Sequence, residues 1–163
     1  MKKIIPAILL IILFTSMQVQ RPVKVILFGD SITQAGVKPG GYVTLMQEAT
    51  STSQYEFIGA GIGGNKVYDL FLRFEDDVLS KKPDVVVIYI GVNDVWHKQT
   101  SQTGTDLNKF TAFYTAMITK LQSAGIKVIV CTPAVIGERR DFCNPLVGDL
   151  NLYSNTIREL AKK

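Results

Sequence analysis

The chain of 163 residues is 47% hydrophobic and 20% charged, a balance that suits one globular domain with an apolar core and excludes disordered and collagen-like chains. Its 18 Lys and Arg against 14 Asp and Glu leave a formal charge of +4. No basic run is interleaved with aromatics, so no nucleic-acid partner is expected. Two cysteines, Cys131 and Cys143, are too few for a disulfide scaffold.

At the N-terminus, Lys2 and Lys3 precede an apolar run from Ile4 to Phe14, and Thr15 to Gln20 turn polar. That order is a secretory signal peptide over residues 1–20, with cleavage placed near Gln20 and a mature domain over 21–163. The apolar run would cover about 16 Å as a helix against roughly 30 Å of hydrocarbon, so it is an address and not a stable membrane anchor. The expected destination is secreted or periplasmic.

Val23–Phe28 reads as the first strand, followed by a loop and a helix over Tyr42–Ala49. Tyr55–Ile58 is the next strand, and the glycine cluster Gly59–Gly64 leads into a helix whose Val67, Leu70, Phe71 and Phe74 share one face. Asp84–Ile90 is almost wholly apolar and β-branched, as a central strand covered on both faces should be. From Leu107 to Gln122, Phe110, Phe113, Tyr114, Met117, Ile118 and Leu121 recur at helical spacing until Gly125 stops the helix. Lys127–Cys131 is the fourth strand, with Cys131 read as a small buried hydrophobe and a Cys131–Cys143 disulfide left open. A last helix spans Leu150–Lys163, with Leu152, Tyr153, Thr156, Ile157 and Leu160 on one side. This alternation predicts a three-layer α/β/α domain with a parallel, flavodoxin-like sheet, whose site lies at the carboxyl ends of the strands near a topological switch.

Polar clusters stand at the ends of the first three strands: Gly29-Asp30-Ser31, Gly61-Ile62-Gly63-Gly64-Asn65 and Gly91-Val92-Asn93-Asp94. In their order and strand context they resemble the GDSL/SGNH hydrolases, lysophospholipase-like serine esterases, and the likeness runs through the mature chain. It implies that Ser31 is the nucleophile, and that the Gly64 N–H and the Asn93 side-chain amide join the Ser31 N–H in an oxyanion hole. Such donors stabilise the charge that develops when an ester carbonyl is attacked. Asp30 is read as orienting the loop. The resemblance also implies a fifth strand and an Asp-x-x-His block that supplies the acid and the base. No histidine follows His97, so the chain is read as incomplete at its C-terminus. His97 is expected to shape the pocket with Trp96 rather than to act as base.

The expected reaction is hydrolysis of a small-molecule, lipid or glycan acyl ester through an acyl-serine intermediate, with no metal or cofactor. A secreted non-catalytic binding module on the same fold is the alternative, because the Asp-x-x-His block is not found. Gly59–Gly64 also satisfies G-x-G-x-x-G, but the acidic residue about twenty positions on, Asp84, begins a strand where a ribose-binding acid belongs at its end. A metal phosphoesterase built on Asp30, Asn93, Asp94 and His97 would need more histidines than one. Oligomeric state is left open.

Overall fold

A computed structural model describes residues 21–141 and 143–162, so the signal-peptide segment lies outside the described residues. The strands are β1 (Val23–Gly29), β2 (Tyr55–Gly61), β3 (Val85–Tyr89) and β4 (Lys127–Cys131). All pair in parallel, in the order β2-β1-β3-β4. The chain therefore moves outward from β1 to β2 and then crosses back to β3 on the other side. That reversal makes the gap between β1 and β3 the topological switch point. Register brings Gly29 opposite both Gly61 and Tyr89, so three strands end at one level.

The helices are α1 (Ser31–Gly36), α2 (Tyr42–Glu48), α3 (Val67–Leu72), α4 (Phe74–Asp77), α5 (Val92–Thr100), α6 (Leu107–Ser123) and α7 (Val147–Leu160), with a 3-10 turn at Leu79–Lys81. Alternating strand residues divide the core in two. Ile26, Phe28, Val86 and Ile88 pack with Val67, Leu70, Phe74, Phe110, Tyr114, Met117, Leu121, Tyr153 and Ile157 in the large cluster. On the opposite face, Val25 and Leu27 meet Val43 of α2 in a much smaller one.

That asymmetry corrects one expectation. β3 is fully buried only through Val86 and Ile88, whereas Val85, Val87 and Tyr89 are half-buried. The small-cluster face is covered by two short helices, α1 and α2, which lie against β2 and β1 and leave β3 and β4 partly open. Cys131 is accordingly half-buried rather than buried, and both it and Cys143 are free thiols.

The helical faces differ in smaller ways. α6 buries Phe110, Tyr114, Met117, Ile118 and Leu121 as expected, while Phe113 sits at the margin with its ring 5.2 Å from that of Phe71. In α7 the buried stripe is Leu150, Tyr153, Ser154, Ile157 and Leu160, and Leu152 is exposed. The helix expected over Val67–Phe74 is interrupted at Arg73, where α3 ends and α4 begins. Two helices were not anticipated, α1 and α5, and each starts inside one of the polar clusters.

Candidate active site

Asp30 caps α1: its carboxylate accepts the Ile32 N–H at 3.0 Å, and its backbone carbonyl accepts the Gln34 N–H at 2.9 Å. Burial pushes the Asp30 carboxyl up, while the Ile32 N–H pulls it down. The cap places Ser31 as the first residue of α1 and leaves it exposed beyond the end of β1. Gly29 makes this turn possible, because a Cβ there would stand 2.4 Å from the Tyr89 carbonyl oxygen of the neighbouring strand.

The second cluster forms a turn above Ser31. A Cβ added at Gly63 would lie 3.9 Å from Cβ of Ser31, and the Gly63 N–H donates to Oε1 of Gln34 at 2.9 Å. Gly64 has φ +77°, a conformation that favours glycine. Its carbonyl accepts from Nζ of Lys66 at 3.2 Å, so both the backbone shape and one face of this peptide are held.

Asn93 is buried in the first turn of α5, and its Nδ2 donates to the Asn65 carbonyl at 3.0 Å. One amide hydrogen is thus used to tie the third cluster to the second, and the other remains to be donated. Asp94, fully buried beside it, accepts the Val67 N–H through both oxygens at 3.1 and 3.2 Å. Burial pushes Asp94 up to about 6, against the Val67 N–H and the charge of Lys66. Ser31, Gly64 and Asn93 are therefore brought to one end of the sheet around the switch point.

His97 lies one turn further along α5, half-buried, with Cε1 3.9 Å from where a Cβ on Gly64 would be. Burial and the charge of Lys66 hold its imidazole below the ordinary value, with Asp69 opposing. Asp94 and His97 share the Asp-x-x-His spacing, but Asp94 is committed to Val67 and not to the imidazole. Among the described residues no carboxylate orients His97 by a hydrogen bond. Asp84, the acid that dinucleotide binding would have used, is bonded to Arg21 and the Lys24 N–H at the opposite end of the sheet. Grooves lined by Arg21, Pro83, Asp84 and Ile126 lie at that far end and include none of the motif residues.

Sequence reasoning missed the strapping of these loops. Arg73 donates to Asn65 Oδ1 at 2.8 Å, to the Gly29 carbonyl at 2.8 Å and to the Ala60 carbonyl at 3.0 Å. Nothing in the local pattern marked it, since an arginine at the end of an amphipathic helix ordinarily reads as solvated.

A serine on a capped helix start thus stands at the switch point of a parallel sheet, with a glycine turn and a buried asparagine amide at the same end. The chain belongs to the GDSL-like lipase/acylhydrolase family, which matches residues 27–163. It is a GDSL-type esterase, a hydrolase of acyl esters. An acetylxylan esterase of Geobacillus stearothermophilus is 28% identical over 160 residues, covering 86% of this chain and 72% of that protein. The crystal structure of an acetyl xylan esterase, AlAXEase, superposes with a TM-score of 0.83 at 65% identity, covering 86% of this chain and 73% of that one. The uncharacterized lipoprotein YqeF of Bacillus subtilis (strain 168) is 30% identical over 122 residues, covering 69% of this chain and 50% of that protein.

Proposed function

We propose that the protein is an exported esterase that removes acetyl groups from xylan-type glycans, with Ser31 as nucleophile. The observation that carries the substrate class is the 65% identity, at a TM-score of 0.83, to an acetyl xylan esterase. Convergence of Ser31, Gly64 and Asn93 at the switch point supports the mechanism. Nothing observed favours a non-catalytic module.

In this reading Ser31 Oγ adds to the acetyl carbonyl and its proton passes to a general base. The oxyanion is held by the N–H groups of Ser31 and Gly64 and by the free amide hydrogen of Asn93. Collapse expels the sugar hydroxyl, which takes the proton back, and water then attacks the acyl-serine to release acetate. The resemblance gives the base to a histidine paired with an aspartate, and His97, which has no such partner among the described residues, does not meet that description. Export rests on the order of charge and apolarity in residues 1–20.

The test is acetate release from acetylated xylan by the full-length protein, beside p-nitrophenyl acetate and p-nitrophenyl laurate. Cleavage of the acetates, with laurate turned over at least about a hundredfold more slowly and with Ser31→Ala inactive yet melting normally, is the expected result. Preference for laurate would assign a lipid substrate instead, and turnover by Ser31→Ala would remove Ser31 as nucleophile. N-terminal sequencing of the exported protein should begin near Arg21.

A further inference from the structure

We propose that Arg73 is a positioning residue of this site, the group that locks the three motif loops into one catalytic geometry. The proposal rests on Ser31, Gly64 and Asn93 being the machinery described above, and adds to it a residue that touches none of the reacting atoms.

Arg73 stands at the break between α3 and α4, where it caps one helix and starts the next. From there its side chain, only 15% exposed, runs back under the carboxyl ends of β1 and β2. Nη2 donates to the Gly29 carbonyl at 2.8 Å and to the Ala60 carbonyl at 3.0 Å. Gly29 ends β1, two residues before Ser31, and its carbonyl also accepts the Ile62 N–H at 3.2 Å. Nε donates to Oδ1 of Asn65 at 2.8 Å, and the backbone carbonyl of Asn65 accepts from Nδ2 of Asn93 at 3.0 Å. One guanidinium therefore reaches the nucleophile loop and the glycine turn directly, and the asparagine loop through Asn65.

The guanidinium is itself held on its other sides. Nη1 pairs with Asp77 one turn along at 2.5 Å, and the guanidinium carbon lies 4.5 Å from the centre of the Phe28 ring. A planar fork with five donors can serve four acceptors at once, which a lysine ammonium on a flexible stem cannot do in the same plane. Were Arg73 only an ion-pair partner of Asp77, its remaining donors would face solvent. Instead they are spent on atoms of the motif loops.

A displacement of about 1 Å at such a site can cost on the order of a hundredfold in rate. Arg73→Lys keeps the charge and the reach toward Asp77 but loses the fork. In the full-length protein it should lower kcat on p-nitrophenyl acetate by about tenfold to a hundredfold, with KM within about twofold. In Arg73→Ala, guanidinium chloride at tens of millimolar should restore about tenfold of the lost kcat, and potassium chloride at equal ionic strength should restore none. Asn65→Ala, which keeps the backbone carbonyl and cuts only the Arg73–Asn65 link, should lower kcat without lowering the melting temperature. It carries the test if the arginine variants fail to fold.

Turnover by Arg73→Lys and Asn65→Ala within about threefold of the wild type, with Ser31→Ala inactive, would overturn the proposal and leave the Ser31 reading standing. A kcat that falls only in proportion to the folded fraction would overturn it too, reducing Arg73 to a structural clamp. Turnover by Ser31→Ala would instead sink the reading on which it rests.

Discussion

In the proposed mechanism Asn93 divides its amide between two tasks, one hydrogen being bound to the Asn65 carbonyl and the other donated to the oxyanion. Asn93→Ala removes both, and the loss of one such donor commonly costs about 3 kcal/mol of transition-state stabilisation. The expected outcome is a fall in kcat that exceeds any rise in KM; a change in KM alone would make Asn93 a substrate-binding group. His97 differs, because its imidazole stands beside Gly64 and no carboxylate among the described residues is hydrogen-bonded to it. His97→Asn should keep kcat within about threefold, whereas a loss of a thousandfold would make it the base. The polar clusters that hold Ser31, Gly64 and Asn93 were legible in the sequence because glycine turns and polar residues follow the apolar strands there, while the roles of the three residues came from the family resemblance. Gly64 shows the reason in its φ of +77°. Arg73 was not legible, because its acceptors at Gly29, Ala60 and Asn65 lie 44, 13 and 8 residues away in the chain.

Among the elements, α5 and α3 are joined where Asp94 accepts the first N–H of α3. Burial raises the Asp94 carboxyl to about 6 from an ordinary value of 3.8. The folded state therefore binds this proton more readily than the unfolded chain does. This one group lowers stability as pH rises from about 4 to about 6 and adds no further change above that window. Lys66 and Asp69 in the adjoining turn, and Tyr114 and Tyr153 from α6 and α7, share the surroundings of Asp94. Asp94→Asn keeps an oxygen for the Val67 N–H and removes the charge. It should melt at or above the wild type at pH 8 and lose the Asp94 contribution to the slope between pH 4 and 6. Asp94→Ala, which leaves the N–H unpaired, should melt lower at every pH, and equal melting of the two variants would count against this role. α1 and α5 escaped sequence reading because each begins in a motif whose polar residues break the apolar periodicity. α3 is interrupted at Arg73, whose side chain turns inward beneath the strand ends rather than outward as an amphipathic helix would require.

Across the whole molecule the sheet is covered unequally. β4 stands at the edge of the strand order, and its central Ile129 is 46% exposed. An edge strand of this composition offers unpaired backbone groups and apolar side chains to a second chain. Ile129→Lys should reduce concentration-dependent light scattering while leaving the melting temperature and esterase activity close to those of the wild type. Unchanged scattering would show that association, if any, uses another surface. The sequence by itself determined the parallel α/β class and placed the polar clusters at the strand ends, because strand and helix periodicities and glycine positions are local properties of the chain. Only the tertiary structure decided which strands are neighbours, that Asp94 anchors α3 instead of orienting His97, and that one arginine bonds the ends of β1 and β2 together with Asn65. Those facts depend on contacts between residues distant in the chain, whose distances appear only once the crossover from β2 to β3 has closed the sheet around β1.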